Sequence, residues 1–420
     1  MTLLDRATHL VVVGQARDRA AYEAGVEPII FSSVTGRKDE VFEHHQILPW
    51  GPSALRFDLR HVLAKKLGTN LGKGLAYRLS VLGVTLLLAP FIVIERLATG
   101  LKNNWSWSWP AYFCGLAVMR REKIEVVCSS GGAYCAHMAA AKLKQKTGCR
   151  WIAEIHDPMV MPGRKPQTRD EKFQAELERT ICEQADAVWW FTEGALAAAQ
   201  RRHPSLGERG FCVLPGANPP QVKASYQRGT QCVFGHFGSL SDTRSLAPVF
   251  RAMKALLSKR PELKPLVRID VYGANLDAAS TAELQDQQLV GVVNAVGRLE
   301  YDPATGLSGR ERVGMHMQQV DALLVVHGVI PECSEYIPSK VYDYFWSGRP
   351  VLALTWHNPQ FNRLIEAHQG WVADNSDSAS IEAALERVMD LWADNQLPAV
   401  TAPAVSVESA VKQILERAGE

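Results

Sequence analysis

Short apolar runs alternate with helical stretches throughout the second half of the chain. The runs Val233–Phe237 and Val267–Tyr272 each end at a glycine, Gly238 and Gly273. Further strands are predicted at Val292–Val296, Ala322–His327, Val351–Thr355 and Gly370–Ala373, and helices at Ser245–Ser258, Pro338–Trp346 and Ser380–Trp392. Because the runs are apolar throughout instead of alternating with polar residues, they predict a parallel sheet covered by helices on both faces.

Right-handed connections between parallel strands leave every strand-to-helix loop at one edge of the sheet. Ligands of such sheets bind at that edge, beyond the carboxyl ends of the strands. Four loops of the second half are therefore predicted to contribute to a binding site: Gly238–Arg244, Gly273–Asn275, Gly297–Tyr301 and Gly328–Ile337.

The first half of the chain repeats this pattern less regularly. Strands are predicted at Leu10–Val13, Pro28–Phe31, Ile124–Cys128, Arg150–Ile155, Ala187–Phe191 and Phe211–Leu214, and helices at Tyr134–Lys146 and Arg169–Gln184. The stretch Pro215–Pro220 is typical of a linker. We therefore predict an α/β protein with two Rossmann-like domains, residues 1–220 and 221–400. Residues 401–420 are predicted to form a C-terminal helix, for which a return to the first domain is an open alternative.

Residues 56–109 do not fit a plain α/β unit. From Arg56 to Arg78 there are six Lys or Arg residues and one acid, Asp58, and Leu79–Ile94 is then almost wholly apolar. Sixteen apolar residues fall short of the roughly 20 that a spanning helix needs. With basic residues on one side and tryptophans soon after, the segment fits either a membrane-surface helix or a helix buried against the first domain.

Composition narrows the function classes. The chain has 420 residues, 47% hydrophobic and 21% charged, with a net charge of +2, which argues against a protein that coats nucleic acid. Its eight cysteines include no Cys-x-x-Cys pair, and the N-terminus lacks the features of a secretory signal. We expect a cytoplasmic protein, with peripheral attachment to the inner face of the cell membrane as a further option.

The segment from Glu335 to Leu352 carries the sharpest chemical signal. Glu335 follows a predicted strand, Ser339 and Lys340 lie in the first turn of a predicted helix, and Asp343 lies within that helix. Carboxylates accept hydrogen bonds from vicinal hydroxyls of sugars and ribose. Free N–H groups at a helix start, together with a lysine, attract a pyrophosphate. The pattern favours a nucleotide-sugar site.

This segment resembles the signature of GT-B glycosyltransferases, especially glycosyltransferase family four, in which two glutamates are separated by seven residues. The resemblance implies that Glu335 contacts the donor sugar as a catalytic residue and that Asp343, which replaces the second glutamate, holds the ribose. Phe234–Arg244 is similar to the family's glycine loop at the diphosphate, with Gly238 and Gly273 at strand ends. Arg244 stands where the family has lysine and Ser239 where it has arginine, so Arg298 or Lys340 is expected to supply the second cation.

Two segments of the first domain resemble family four members that act on bacterial surface polysaccharides. One runs from Ile124 through Gly131 and Gly132 to Tyr134, and the other is Trp151–Pro158. The resemblance implies an acceptor-side loop of Gly131, Gly132 and His156, and catalytic roles for Asp157 on an acceptor hydroxyl and His137 near the reacting sugar. The alternatives are that Asp157 serves as a turn or cap residue and that His137 is a histidine on a helix face.

The resemblance implies transfer of a sugar from a nucleotide-diphosphate sugar to a saccharide or lipid-linked saccharide in cell-surface polysaccharide synthesis, with retention of configuration. The two parallel sheets are expected to face each other across a cleft. No Asp-x-Asp motif is present, and neither a metal nor another cofactor is expected. The partners are then the nucleotide sugar, its acceptor and a membrane surface, with no nucleic acid. A nucleotide-sugar 2-epimerase and a non-catalytic nucleotide-sugar-binding protein are the alternatives.

Overall fold

The structure, a computed structural model, describes residues 6–9, 27–35, 42–68, 72, 74–101, 105–122, 124, 126–130, 134–273 and 275–419. The chain divides into two compact units. The first comprises Met1–Val213 with Val407–Glu420, and the second comprises Leu214–Ser406. The structure divides the chain after Val213, whereas the sequence analysis placed the domain boundary after residue 220.

Within the described residues, the sheet of the first unit has seven strands. They are β1 (Arg6–His9), β2 (Glu27–Ser32), β3 (Glu43–Gln46), β4 (Val126–Ser130), β5 (Arg150–Ile155), β6 (Ala187–Trp190) and β7 (Gly210–Cys212). All neighbours pair in parallel, in the order β3-β2-β1-β4-β5-β6-β7. The predicted strand Leu10–Val13 lies outside the described residues.

Six helices of the first unit precede its last strand among the described residues. They are α1 (Pro52–Lys66), α2 (Leu75–Thr99), α3 (Ser108–Arg121), α4 (Tyr134–Thr147), α5 (Arg169–Gln184) and α6 (Glu193–Arg202). In α4 the residues Ala136, Ala139 and Ala140 are fully buried in the core of the sheet. These small side chains allow α4 to lie close to the sheet, where Trp151 and Trp190 fill the space between them.

The second unit contains a six-stranded sheet, counted over its described residues. Its strands are β8 (Cys232–Phe237), β9 (Val267–Tyr272), β10 (Val293–Gly297), β11 (Ala322–Val326), β12 (Val351–Thr355) and β13 (Trp371–Asp374). All pairs are parallel, in the order β10-β9-β8-β11-β12-β13. This is the doubly wound order, in which chain direction across the sheet reverses between β8 and β11. The predicted parallel α/β architecture is confirmed.

Helices cover both faces of the second sheet. They are α7 (Ala247–Lys259), α8 (Ala278–Glu283), α9 (Gly309–Gln319), α10 (Lys340–Phe345), α11 (Pro359–Ala367) and α12 (Ser378–Ala393). One buried cluster joins the sheet to α7 and α12, and another joins its opposite face to α10 and α11. Such two-sided burial explains why the strands have no polar face.

The helix predicted at Pro338–Trp346 is shorter in the structure, where α10 has six residues. At its start the amide of Val341 donates to the carbonyl of Pro338, and at its end the amide of Trp346 donates to the carbonyl of Asp343. These i to i+3 bonds belong to tight turns and not to an extended α-helix. The macrodipole predicted for this helix start is correspondingly small, because few peptide units are aligned.

The last helix, α13 (Val407–Gly419), belongs to the first unit. Ala410 packs with Trp189 and Val213 in a small buried cluster beside β6. The indole nitrogen of Trp189 donates to the carbonyl of Val213 at 2.8 Å. The chain thus ends in the unit in which it begins.

The helix α2 has 25 residues, with Pro90 inside it. It is therefore longer than the apolar run Leu79–Ile94. Its only buried residue, among the described ones, is Tyr77. The alternative of a helix buried against the first domain is therefore wrong for most of its length. Among the described elements α2 packs mainly on α1, and most of its large apolar side chains stay exposed.

Candidate functional site

A cavity of about 600 Å³ lies in the second unit, at the carboxyl ends of β8 and β9 and beside the start of α10. The predicted donor-side residues all line it: Gly238, Arg244, Gly273, Arg298, Ser339, Lys340 and Asp343. The doubly wound order explains the convergence, because loops that leave neighbouring strands near the reversal point open a crevice between them.

Two glycines form the floor of this cavity. Gly238 has φ 130° and Gly273 has φ 132°, in the region that side-chain-bearing residues rarely adopt. A Cβ at Gly273 would collide with the carbonyl oxygen of Gly238, and a Cβ at Gly238 would lie 2.5 Å from Nζ of Lys340. The amide of Gly238 donates to the carbonyl of Tyr272 at 2.8 Å. Only glycines allow the two strand ends and the lysine to approach this closely.

Lys340 is the most strongly perturbed cation of the cavity. Burial, and secondarily the charge of Arg244, lower the pKa of Lys340 to about 8. His236 is buried near this lysine. Its burial, and secondarily the positive charge of Lys340, lower the pKa of His236 to about 3. Its Nδ1 donates to the carbonyl of Leu324 at 3.1 Å, so a neutral imidazole lies beneath the ammonium group. An anion in the cavity would relieve the repulsion between Lys340 and Arg244.

Asp343 is one of two acids that line the cavity, together with Glu300. Its pKa is raised by burial, and the positive charge of Arg310 opposes that shift. Arg310 also lines the cavity and was missed by the sequence-based prediction. The signal was present, because Ser308 and Glu311 form a capping box that begins α9 at this point. A helix predicted to begin here, after β10, would have placed Arg310 at the edge of the sheet where ligands bind.

An aromatic pair forms one wall. Tyr272 stacks on Phe237 with ring centroids 4.5 Å apart, and both residues line the cavity. Arg298 lies at the opening, where its side chain is 80% exposed and pairs with Glu300 at 3.2 Å. Arg298 is therefore held more loosely than Lys340.

Glu335 does not line this cavity. It follows a short 3-10 helix, Pro331–Ser334, and is buried, with 7% of its surface exposed. Asn358 holds this loop in place, because its side-chain amide donates to the carbonyls of Cys333 and Tyr336 at 2.9 and 2.8 Å. The contact predicted between Glu335 and the donor sugar stays a prediction.

The described acceptor-side residues of the first unit, His156 and Asp157, directly follow β5. Nε2 of His156 lies 2.6 Å from a carboxylate oxygen of the buried Glu154 and 3.1 Å from Oγ of Ser130. The imidazole also stacks on Phe191 at 4.4 Å. Asp157 is exposed in the bend that follows. Gly131 and Gly132 lie outside the described residues.

His137 lies in the core of the first unit. It is fully buried, with Nδ1 2.7 Å from Oγ of Ser129, which also accepts a hydrogen bond from the indole of Trp151. Burial, and then the charge of His156, lower the pKa of His137 to about 3. This environment is that of a neutral structural histidine. Its predicted approach to the reacting sugar stays a prediction, and the burial is unfavourable to it.

The described residues include no group of three or more His, Cys, Asp or Glu side chains arranged to hold a metal ion. No protein-family model matches the sequence, and no curated protein sequence is significantly similar to it.

The fold, in contrast, is similar to solved structures over nearly its whole length. Sucrose-phosphate synthase from Thermosynechococcus elongatus matches with a TM-score of 0.57 at 14% identity, over 99% of this chain and 94% of its own. WaaG, a glycosyltransferase involved in lipopolysaccharide biosynthesis, matches with a TM-score of 0.56 at 15% identity, over 98% of both chains. The chain has the GT-B fold. The assignment to glycosyltransferase family four stays a prediction.

A third GT-B match is an E. coli trehalose-6-phosphate protein bound with UDP-2-fluoro glucose, with a TM-score of 0.54 at 12% identity over 99% of both chains. At these identities the similarity establishes the GT-B fold, and the chemistry has to be argued from the cavity itself.

Proposed function

We propose that the chain is a glycosyltransferase that moves a sugar from a nucleotide-diphosphate sugar to a saccharide or lipid-linked saccharide acceptor. One observation supports this most strongly. Gly238, Gly273, Arg244, Lys340 and Asp343 converge on one cavity at the reversal point of a doubly wound sheet. That combination offers close backbone approach, positive charge and a carboxylate, which are the groups that a nucleoside diphosphate requires.

The diphosphate is assigned to Lys340 and Arg244 at the two glycine strand ends. Both cations would stabilise the charge that develops on the departing diphosphate, which is electrostatic catalysis of a leaving group. Asp343 would accept hydrogen bonds from the ribose hydroxyls, and its raised pKa reflects a carboxylate that gains from such donors. Ser339 and Arg298 would complete the polar rim. We expect the reaction to need neither a metal nor another cofactor.

The donor sugar is assigned to Glu335, and the acceptor to the exposed end of the first sheet, with Asp157, His156, Gly131 and Gly132. His137 would act there only through its hydrogen-bond partner Ser129, because its own imidazole is fully buried. We further propose retention of configuration, a role in cell-surface polysaccharide synthesis, and a cytoplasmic location at the inner face of the membrane. The similarity to WaaG, described as involved in lipopolysaccharide biosynthesis, supports the polysaccharide role.

A first experiment identifies the donor. UDP is the probe of choice, because a GT-B match is bound with a UDP sugar. UDP, GDP, ADP and their glucose conjugates are added to the protein, and the shift in unfolding temperature is measured. Conversion of a donor sugar to its epimer without any acceptor would instead identify a 2-epimerase.

The decisive variant is Glu335→Gln. We expect sugar transfer to fall at least ~100-fold, because a group that contacts the reacting sugar is lost, whereas UDP affinity stays unchanged because Glu335 does not line the cavity. Glu332→Gln, in the same loop, is the matched control and should retain transfer. Transfer at the wild-type rate by Glu335→Gln would overturn the assigned role.

A further inference from the structure

The helices α1 and α2 form an antiparallel hairpin in the first unit. At its base, the amide of Ser53 near the start of α1 donates to a carboxylate oxygen of Glu95 near the end of α2, at 2.8 Å. Arg169 of α5 donates to the carbonyl of Leu97 at 3.3 Å. These bonds fix the end of α2 to the rest of the unit, and α1 then lies along α2.

The face of α2 that points away from α1 is apolar and exposed. Its large side chains are each more than half exposed, including Leu79, Leu82, Leu86, Leu87, Phe91 and Ile94. None of the most apolar 18-residue window is buried, and its mean hydropathy is 2.0. A contiguous apolar surface of this size is rare on a soluble monomer and marks a surface that another apolar phase covers.

Charge and aromatic residues indicate what that phase is. The partner helix α1 carries Arg56, Arg60, Lys65 and Lys66 along its whole length. Trp50 directly precedes the hairpin, is 61% exposed, and stacks on the exposed Phe113 of α3 at 5.6 Å. An apolar helix beside a basic one, with exposed aromatic rings at the base, matches the layered chemistry of an anionic membrane surface.

We propose that the α1–α2 hairpin lies in the plane of an anionic lipid bilayer, with α2 immersed at the boundary between headgroups and acyl chains and α1 at the level of the headgroups. The inference does not rest on the proposed transferase activity. By length and composition α2 could cross a bilayer. The proposal nevertheless commits to one leaflet, because two features of the hairpin disfavour a spanning helix.

The first feature is the limit set by charges on α2 itself. Arg78 and Glu95 bracket the apolar stretch Leu79–Ile94, which is about 24 Å long at ~1.5 Å per residue and therefore shorter than the ~30 Å hydrocarbon core. The second is α1, which would accompany α2 across the bilayer and carry four basic side chains and Asp58 into hydrocarbon. In-plane insertion leaves the basic side chains of both helices at the headgroups and Asp58 buried within the protein.

The experiment is co-sedimentation of the full chain with sealed vesicles, of phosphatidylcholine alone or with phosphatidylglycerol. We expect binding that strengthens with phosphatidylglycerol. The double variant Leu86→Asp/Leu87→Asp should lose at least ~10-fold of that binding, since two apolar contacts are replaced by charges. Val290→Asp is the matched control, because Val290 is 58% exposed in the second unit, and it should bind like the wild type.

The variant Lys65→Glu/Lys66→Glu separates the electrostatic from the apolar contribution. It should lower binding to phosphatidylglycerol vesicles at low salt and have little effect at high salt. Circular dichroism of each variant checks that the unit is folded. Because no nucleotide sugar is present, a negative result here leaves the transferase assay unaffected, and the reverse also holds.

Four results would overturn the proposal. Wild-type protein that stays in the supernatant, or a Leu86→Asp/Leu87→Asp variant that sediments fully, would remove the lipid contact. Protein that resists an alkaline carbonate wash and is cleaved by protease on both sides of the vesicle would indicate a spanning helix. A lipid-free dimer that the same variant converts to a monomer would assign the apolar face to a second copy of the chain.

Discussion

Lys340 and Asp343 lie in the same cavity, and their pKa values shift in opposite directions. Burial disfavours the charged form of each, so it lowers the pKa of the lysine and raises that of the aspartate. A bound diphosphate would reverse the effect on Lys340 by supplying an opposite charge. The cavity is therefore expected to bind its ligand with uptake of a proton in mildly alkaline solution.

The affinity for UDP should depend on the protonation of Lys340. With a free-state pKa of about 8, the ammonium form is dominant at pH 7 and is lost as pH rises through 8. We expect the affinity to fall about tenfold per pH unit above that value, until the pKa of the complex is reached. Titration calorimetry at several pH values, in buffers of different ionisation enthalpy, measures both affinity and proton uptake. Lys340→Met should bind weakly and lack the slope, whereas an unchanged slope would assign the titration to another group.

Gly273→Ala tests the contact between the strand ends. The added Cβ meets the backbone carbonyl of Gly238, which cannot move without displacing β8, and φ is 132°. We expect a loss of about 2 kcal/mol in the free energy of unfolding and a loss of UDP binding. Gly291→Ala is the control, because it shares a positive φ of 79° but has no atom within 4 Å of the added carbon. Chemical denaturation should show a cost of about 1 kcal/mol there, with UDP binding intact.

At the scale of elements, α1 contains a buried acid that its surroundings do not stabilise. Asp58 is 1% exposed, one of its carboxylate oxygens has no hydrogen-bond partner in the described structure, and burial raises its pKa to about 6. The folded state therefore favours the neutral carboxyl group. Its contribution to stability is present below pH 4 and is lost as pH rises from 4 to 6.

Asp58→Asn should remove this dependence. Above pH 6 we expect the variant to be more stable than the wild type by on the order of 2 kcal/mol, with the difference vanishing near pH 4. Urea denaturation of the first unit at several pH values measures it. Glu208→Gln neutralises an exposed acid of the same unit and should leave the pH profile unchanged. A difference that persists at pH 4 would show that the asparagine acts through packing.

The strands also differ in how well the sequence predicts them. The strands β8 and β9 are predicted nearly residue for residue, because burial on both faces requires unbroken apolar runs. The strand Glu43–Gln46 has no such run and was missed. It forms because it pairs with β2 at the sheet edge and because His44 bonds to Oγ of Ser32 at 2.7 Å, contacts that no local pattern encodes.

For the whole molecule, the last helix α13 returns to the first unit, where it packs beside β6. Ala410→Asp would place a carboxylate in the cluster formed with Trp189 and Val213. We expect the first unit to lose about 3 kcal/mol of stability while the second is unaffected. Limited proteolysis with mass spectrometry should then release fragments from residues 1–213 first, with 214–406 persisting. Gln413→Asp, on the exposed side of α13, should match the wild type.

The donor-side residues could be predicted because they lie directly after apolar strands or in one short motif. Parallel topology brings all such loops to one edge, so sequence position alone indicates proximity. Arg310 was missed because no helix was predicted at Gly309–Gln319, although the capping box of Ser308 and Glu311 marks its start. His137 was predicted to lie near the reacting sugar because neighbouring segments resemble a known family, whereas in the fold it is fully buried and contacts Ser129.

The sequence by itself determined the alternation of strands and helices, the glycines at the strand ends and the predicted donor-side residues of the cavity, because each depends on neighbours in the chain. Only the tertiary structure decided which charges are shifted and which faces are covered. Desolvation of Lys340, burial of His137 and exposure of α2 all depend on what packs against a residue from distant parts of the chain, and that packing is absent from any local pattern.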